Sequence, residues 1–177
     1  MRMVLKPAVE ADYEAIIELA NVAYRKTGPG SSWNSEAGLI GGPRLNEWLL
    51  RANLETKVGS ELLVYRDGPE GPVLGTVWLE PKGDGVWYLG LLTVRPDLQN
   101  RQLGRGVLAA AEDLVRERDG RRIRMTVLSA RKTLIAWYER RGYALTGETE
   151  PVPLGDEKFL GTPLREGLYF VVMGKDL

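Results

Sequence analysis

Apolar positions along the chain switch between two spacings, and the switches mark out the elements. A continuous apolar run, WYLGLLTV from Trp87 to Val94, reads as a strand buried on both faces. Pro96 ends it, the turn QNRQLGRG follows, and an amphipathic helical stripe continues through Val115. Upstream, Arg2 to Leu5 suit a short first strand, while Tyr13, Ile16, Ile17, Ala20, Ala23 and Tyr24 keep helical spacing. From Lys26 to Pro43 the chain becomes a Gly/Ser/Pro-rich loop carrying Trp33, either a lid over a ligand or a plain connection. Leu45, Trp48, Leu49 and Ala52 then restore a helical stripe. ELLVYRD, the turn DGPEGP and VLGTVWLEP form an antiparallel hairpin, and KGDG leads back into the run at Trp87.

After the central helix, which Asp119-Gly120 stops, RRIRMTV alternates Ile123, Met125 and Val127 against Arg122, Arg124 and Thr126. A helix of about four turns separates this strand from Trp87–Val94, so the connection is a right-handed crossover and the pair is parallel. Ser129 is placed to cap a helix reaching Arg141, with Leu134, Ile135 and Tyr138 on its inner side and Gly142 at its end. YALTGE forms a strand, Glu150 to Gly167 a Pro-punctuated loop, and LYFVVMGK the last strand. The predicted fold class is mixed α/β (α+β). A mostly antiparallel sheet of six or seven strands, with one central parallel pair, is flanked by four helices in a single domain over residues 1–177.

The turn between the buried run and the central helix carries the first chemical hint. A strand, a turn with Gly104, Gly106 and arginines, and then a helix N-terminus present main-chain N–H donors and a positive dipole end, a cradle for an anion such as a pyrophosphate. It is not a P-loop, since no Gly-Lys-Ser/Thr closes it, and it lacks the third glycine of a dinucleotide fingerprint.

Composition narrows the chemistry further. Lys+Arg and Asp+Glu number 24 each, which gives no reason to expect nucleic acid or an anionic membrane as partner. Cys and His are absent from the 177 residues, which excludes disulfides, the usual zinc site, Ser-His or Cys-His nucleophiles and an imidazole base. No metal site is expected. No apolar run approaches the roughly 18 residues of a membrane span, and the start has no signal-like core. A soluble cytoplasmic protein is the expectation.

VRPDLQNRQLGRGVL, followed some thirty residues later by LIAWYERRGY, resembles the GNAT superfamily of N-acetyltransferases. The family's Gln/Arg-x-x-Gly-x-Gly/Ala pattern fits literally from Arg101 to Gly106. Spacing from Val94 and Pro96 instead favours a start at Gln99, and in that register Gln102 stands where relatives carry Gly. A second departure is Arg131, where many members have Asn. Tyr138 and Gly142-Tyr143 match the family's later helix.

The resemblance implies acetyl-CoA (coenzyme A) as donor. Main-chain groups of Leu92, Thr93 and Val94 would pair with the pantetheine arm like an added strand, the Val94 N–H facing the carbonyl oxygen. Gln99, Asn100, Arg101, Gln102, Leu103, Gly104 and Arg105 would hold the pyrophosphate. Arg131, or one of Arg116, Arg118, Arg121, Arg122 and Arg124, could meet the 3′-phosphate. Tyr138 is the expected acid for the leaving thiolate, a transfer uphill by roughly 2 kcal/mol at unperturbed pKa values. With no Cys, direct transfer in a ternary complex is expected. Candidates for the base are Tyr88, Glu80, Glu36 or water, and Trp33, Trp48 and Phe159 suggest an aromatic-walled acceptor pocket. The acceptor would be a primary amine on a small or amino-acid-like molecule. The alternatives are a catalytically weak acyl-CoA sensor and a protein N-terminal or lysine acetyltransferase. The late loop and last strand could exchange across a homodimer.

Overall fold

Nine strands and four α-helices follow one another among the described residues, which are 2–33, 35–156 and 159–177 of the computed structural model, without the side chains of Gln99, Asn100 and Arg101. In chain order they are β1 (Lys6–Pro7), α1 (Tyr13–Arg25), β2 (Ile40–Gly41), α2 (Glu47–Thr56), β3 (Glu61–Arg66), β4 (Val73–Gly83), β5 (Val86–Val94), α3 (Leu103–Glu117), β6 (Arg122–Leu128), α4 (Lys132–Glu139), β7 (Ala144–Pro151), β8 (Thr162–Pro163) and β9 (Tyr169–Asp176). Seven strands form one sheet in the order β1-β3-β4-β5-β6-β9-β7. Its neighbours are antiparallel except β5 and β6, the expected parallel pair.

Alternation along the strands sorts the core into two layers. Leu63, Val77, Leu79, Leu89, Ile123 and Met125 pack with Val107, Ala111 and Val115 of α3 and with Leu134, Ile135 and Tyr138 of α4. Leu62, Val64 and Trp78 face the other way, onto Ile16, Leu19 and Ala20 of α1 and Leu49 and Leu50 of α2. Asn46 starts α2 by accepting the Leu49 N–H at 2.8 Å, a satisfied N-cap. A third cluster, Ile40, Leu128 and Val152, gathers the late loop around the end of β6.

Several boundaries differ from expectation. The first strand pairs through Lys6 and Pro7 rather than Arg2 to Leu5, because Leu5 is drawn into the core and Pro7, lacking an N–H, is tolerated on the sheet edge. β5 is not buried on both faces: Trp87, Leu89 and Thr93 are buried, while Tyr88 and Gly90 to Leu92 are half-buried and wall a cleft. At the end of α3 the left-handed residue is Asp119, with φ 57°, not Gly120. Glycine is required at 120 for space, since a Cβ would come within 2.8 Å of the Trp87 ring. Ser129 does not cap α4; it sits buried after β6 with its N–H on the Tyr169 carbonyl, and Arg131 occupies the N-cap without a side-chain cap bond. The unforeseen element is a two-stranded ribbon, in which β2 pairs with β8 through Ile40↔Pro163 and Gly41↔Thr162 and binds the two irregular loops together.

Candidate functional site

The site grows out of two irregularities in β5. Between Trp78↔Gly90 and Thr76↔Thr93, β4 advances two residues while β5 advances three, a bulge at which Leu91 takes φ 50°. From Leu89 onward β5 and β6 part: their parallel pairing covers only Val86–Tyr88 with Arg122–Arg124, while β6 stays paired to β9 as far as Leu128. The β6-facing edge of Leu92 to Val94 is therefore open. The Arg95 N–H donates to the Leu74 carbonyl at 3.0 Å, so 74 and 95 are the hydrogen-bonded pair and the Val94 amide is directed away from β4, into the gap.

A cavity of about 340 Å³ fills that gap and extends to the start of α3. Leu92, Thr93, Val94, Gln102, Gly104, Arg105, Arg131 and Tyr138 all line it, so most of the expected site converges here. Leu103 does not, since its side chain is buried in the core. The side chains of Gln99, Asn100 and Arg101 lie outside the described residues. At the α3 terminus Gln102 adopts the left-handed region, φ 58° and ψ 21°, which supports the register in which it occupies a glycine position. The first turn of α3 has neither a side-chain cap bond nor an acidic residue, so its leading N–H groups lack intrahelical acceptors. An extended edge with no strand beside it at one end and an uncapped helix start at the other fit an elongated ligand bearing amides and an anion.

A second cavity, of about 560 Å³, opens on the other side of the gap, under α1, α2 and the two long loops. Tyr24, Leu92, Arg131, Leu134 and Tyr138 border both cavities and form the partition between them. Tyr138 makes edge-to-face contacts with Trp137 and Tyr143 at centroid distances of 5.1 and 5.6 Å. Burial pushes its phenol well above the ordinary tyrosine value, with Arg131 and Arg141 pulling the other way.

Tyr24 is a site residue that sequence reading missed, because it falls on the apolar stripe of α1. Its hydroxyl donates to the Leu92 carbonyl at 3.3 Å, and the guanidiniums of Arg44 and Arg131 lie 5.2 and 5.6 Å from its ring centre. Burial raises its phenol too, against both arginines. Glu36, from the first long loop, is buried; Arg25 Nε donates to Oε1 at 2.9 Å and Arg131 Nη1 to Oε2 at 3.5 Å. Arg25 also donates to the carbonyls of Gly41, Gly42, Pro43 and Leu160, which straps both loops to α1.

The other candidates separate. Glu36 has both oxygens occupied by guanidiniums. Glu80 lines neither cavity; burial raises its carboxyl, but Lys82 at 2.7 Å, Trp78 and Lys57 outweigh that and hold it low. Tyr88 does face the larger cavity, its hydroxyl 3.4 Å from Thr126 Oγ1. Arg116, Arg118, Arg122 and Arg124 are paired with Asp113, Glu61, Asp176 and Glu150, Arg121 donates to the Asp84 carbonyl, and none lines the smaller cavity. Of the three aromatics, Trp33 lines the smaller cavity and Phe159 the larger, while Trp48 lines neither and stays half-exposed. Among the described residues no helix is long and apolar enough to cross a membrane, and no group of acidic side chains is arranged to hold a metal ion.

Comparison with known proteins places this geometry. Residues 14–143 match the model of the acetyltransferase (GNAT) family. No curated protein matches the chain in sequence. Among solved structures, an IAA acetyltransferase from Bacillus cereus superposes with TM-score 0.67 at 13% identity, covering 99% of each chain. A ribosomal-protein-alanine N-acetyltransferase from Brucella melitensis gives 0.66 at 21%, covering 99% of this chain and 100% of that one. The ribosomal-protein-S18-alanine N-acetyltransferase from Escherichia coli gives 0.66 at 15%, covering 98% and 92%. These likenesses establish the fold.

Proposed function

The chain belongs to the acetyltransferase (GNAT) family, and we propose that it transfers an acetyl group from acetyl-CoA directly to a primary amine on a small or amino-acid-like acceptor. The observation that carries this reading is the parting of β5 and β6, which leaves the Leu92–Val94 edge facing a cavity that ends on the uncapped start of α3. Acetyl-CoA, when bound, supplies an activated thioester.

The residues then divide the work. Main-chain groups of Leu92 to Val94 hold the donor's amide-bearing arm as an added strand would, and the Val94 N–H faces the oxygen on which charge develops. The turn from Gln99 to Arg105 receives the pyrophosphate, and Arg131 supplies positive charge at the partition. Tyr138 gives its proton to the departing sulfur. Burial makes that transfer steeper than the roughly 2 kcal/mol of unperturbed groups, and Arg131 and Arg141, which oppose the rise, stabilise the phenolate left behind. Glu36 and Glu80 are both committed to cations, so the acceptor amine sheds its proton to water rather than to a carboxylate. The acceptor enters through the larger cavity, which meets the donor side at Tyr138.

The test is release of free CoA thiol from acetyl-CoA across amino acids, polyamines, aminoglycosides and peptide N-termini, together with thermal shift. Saturating acetyl-CoA at 100 times Kd stabilises the fold by about 2.7 kcal/mol. Binding without thiol release from any amine would identify a sensor, and absence of binding would remove the donor assignment.

A further inference from the structure

Among the described residues the larger cavity is lined by more cations than carboxylates. Among the described residues its walls include four cations, Arg25, Arg44, Lys57 and Arg131, and two carboxylates, Glu36 and Glu150. Glu36 is shared between Arg25 and Arg131, Glu150 is taken by Arg124, and Lys57 reaches Glu80 at 3.7 Å. Arg44 alone of the four cations pairs with no carboxylate among the described residues. Its half-buried guanidinium lies over Tyr24, 5.2 Å from the ring centre.

Arg44 is also held in place. Asn21, on α1, accepts the Arg44 and Leu45 N–H groups on Oδ1 at 2.7 and 3.0 Å and donates from Nδ2 to the Leu45 carbonyl at 3.0 Å. Three hydrogen bonds thus fix the backbone at the root of this side chain. Tyr24, under the guanidinium, belongs to the partition with Tyr138. A planar guanidinium that meets no carboxylate among the described residues, anchored beside the point where acceptor meets donor, is matched by a carboxylate, which it binds through two parallel N–H···O bonds.

We propose that Arg44 receives the carboxylate of the acceptor, and that the acceptor is therefore an amino-acid-like zwitterion rather than a polyamine or an aminoglycoside. The proposal rests on the larger cavity being the acceptor side of an acetyltransferase. Charge supports it twice over. An excess of cations repels a polycation entering the cavity, and it also favours the neutral, nucleophilic form of the incoming amine, while the carboxylate offsets the cost of entry.

The experiment compares L-amino acids with their carboxamides, and with spermidine, in wild type, Arg44→Gln and Arg44→Lys, each checked for folding by thermal unfolding. The expected kcat/KM for the amino acid exceeds that for its carboxamide by about 30-fold or more, the worth of a charged hydrogen bond. Arg44→Gln collapses that ratio towards one, and Arg44→Lys keeps an intermediate ratio. A wild-type ratio near one, a preference for spermidine, or a ratio intact in Arg44→Gln overturns the proposal. Calorimetric binding of the same probes separates it from the activity. If no amine is acetylated, the acetyltransferase reading fails, yet an amino-acid preference in binding that Arg44→Gln abolishes sustains the carboxylate contact. Equal binding of acid and amide ends it.

Discussion

Arg25 Nε stands 2.9 Å from Glu36 Oε1, and only 5% and 7% of the two side chains is exposed. With Arg131 on the other oxygen, one carboxylate compensates two guanidiniums in the roof of the larger cavity. Glu36→Gln leaves the Arg25 guanidinium buried without its anion, and the expected loss is about 3 kcal/mol of unfolding free energy, read from the urea midpoint. A shift below about 0.5 kcal/mol, the scale of an ordinary surface change, would mean the strap contributes little.

Gln102 holds a left-handed backbone without glycine's freedom. Gln102→Gly should raise stability by about 1 kcal/mol, because the strain removed at φ > 0 outweighs the added entropy of the unfolded chain. Gln102→Val should lower it, since a β-branched side chain fits that region worst. Thermal unfolding of the pair checks the sign, and equal melting temperatures would show that the turn relaxes around either residue.

Tyr138→Phe keeps the ring packed against Trp137 and Tyr143 and removes only the hydroxyl, and with it the proton to be given. The expected outcome is a fall in kcat of ~10²-fold or more with acetyl-CoA affinity close to wild type. Pre-steady-state thiol release separates chemistry from product release, and an undiminished rate of the chemical step would take Tyr138 out of the acid role.

Three phenols, two of them buried and one half-buried, set the response to alkali. Tyr24, Tyr138 and Tyr143 are each raised, first by burial, and Tyr143 further because its hydroxyl donates to the Glu112 carboxylate at 3.0 Å, which Lys175 also binds. Below the unfolded tyrosine value of about 10 both states keep their protons and the stabilisation is complete. Above it the unfolded chain releases protons that the folded chain retains, so stability falls as pH rises. Melting temperature should drop steeply between about pH 9.5 and 11.5. Tyr143→Phe should flatten part of that slope, and a slope unaltered by it would assign the loss elsewhere.

Much of this architecture is legible in the sequence because it rests on long periodic segments. The parallel pair followed from a helix-length connection, and the resemblance to the family put Gln102 at a glycine position, where the backbone is left-handed. The β2–β8 ribbon was not legible, since two-residue strands carry no alternation. Tyr24 was hidden by its own regularity: on an apolar helical stripe, nothing distinguishes a phenol that packs from one that reaches the Leu92 carbonyl. The contact between Glu36 and Arg131 joins side chains far apart in the chain, and only the folded loops bring them together. Asp119 shows the reverse error, in which the glycine that suggested a left-handed stop serves instead to let Trp87 approach.

The ribbon between Ile40 and Pro163 closes a loop spanning most of the chain, with only two residue pairs to repay the closure entropy. It should therefore form late, after the sheet and α3 have condensed from nearer neighbours. During synthesis the Leu92–Val94 edge and the turn at Gln102 leave the ribosome before β8 does, so the walls of the smaller cavity can gather while the larger one still lacks its roof.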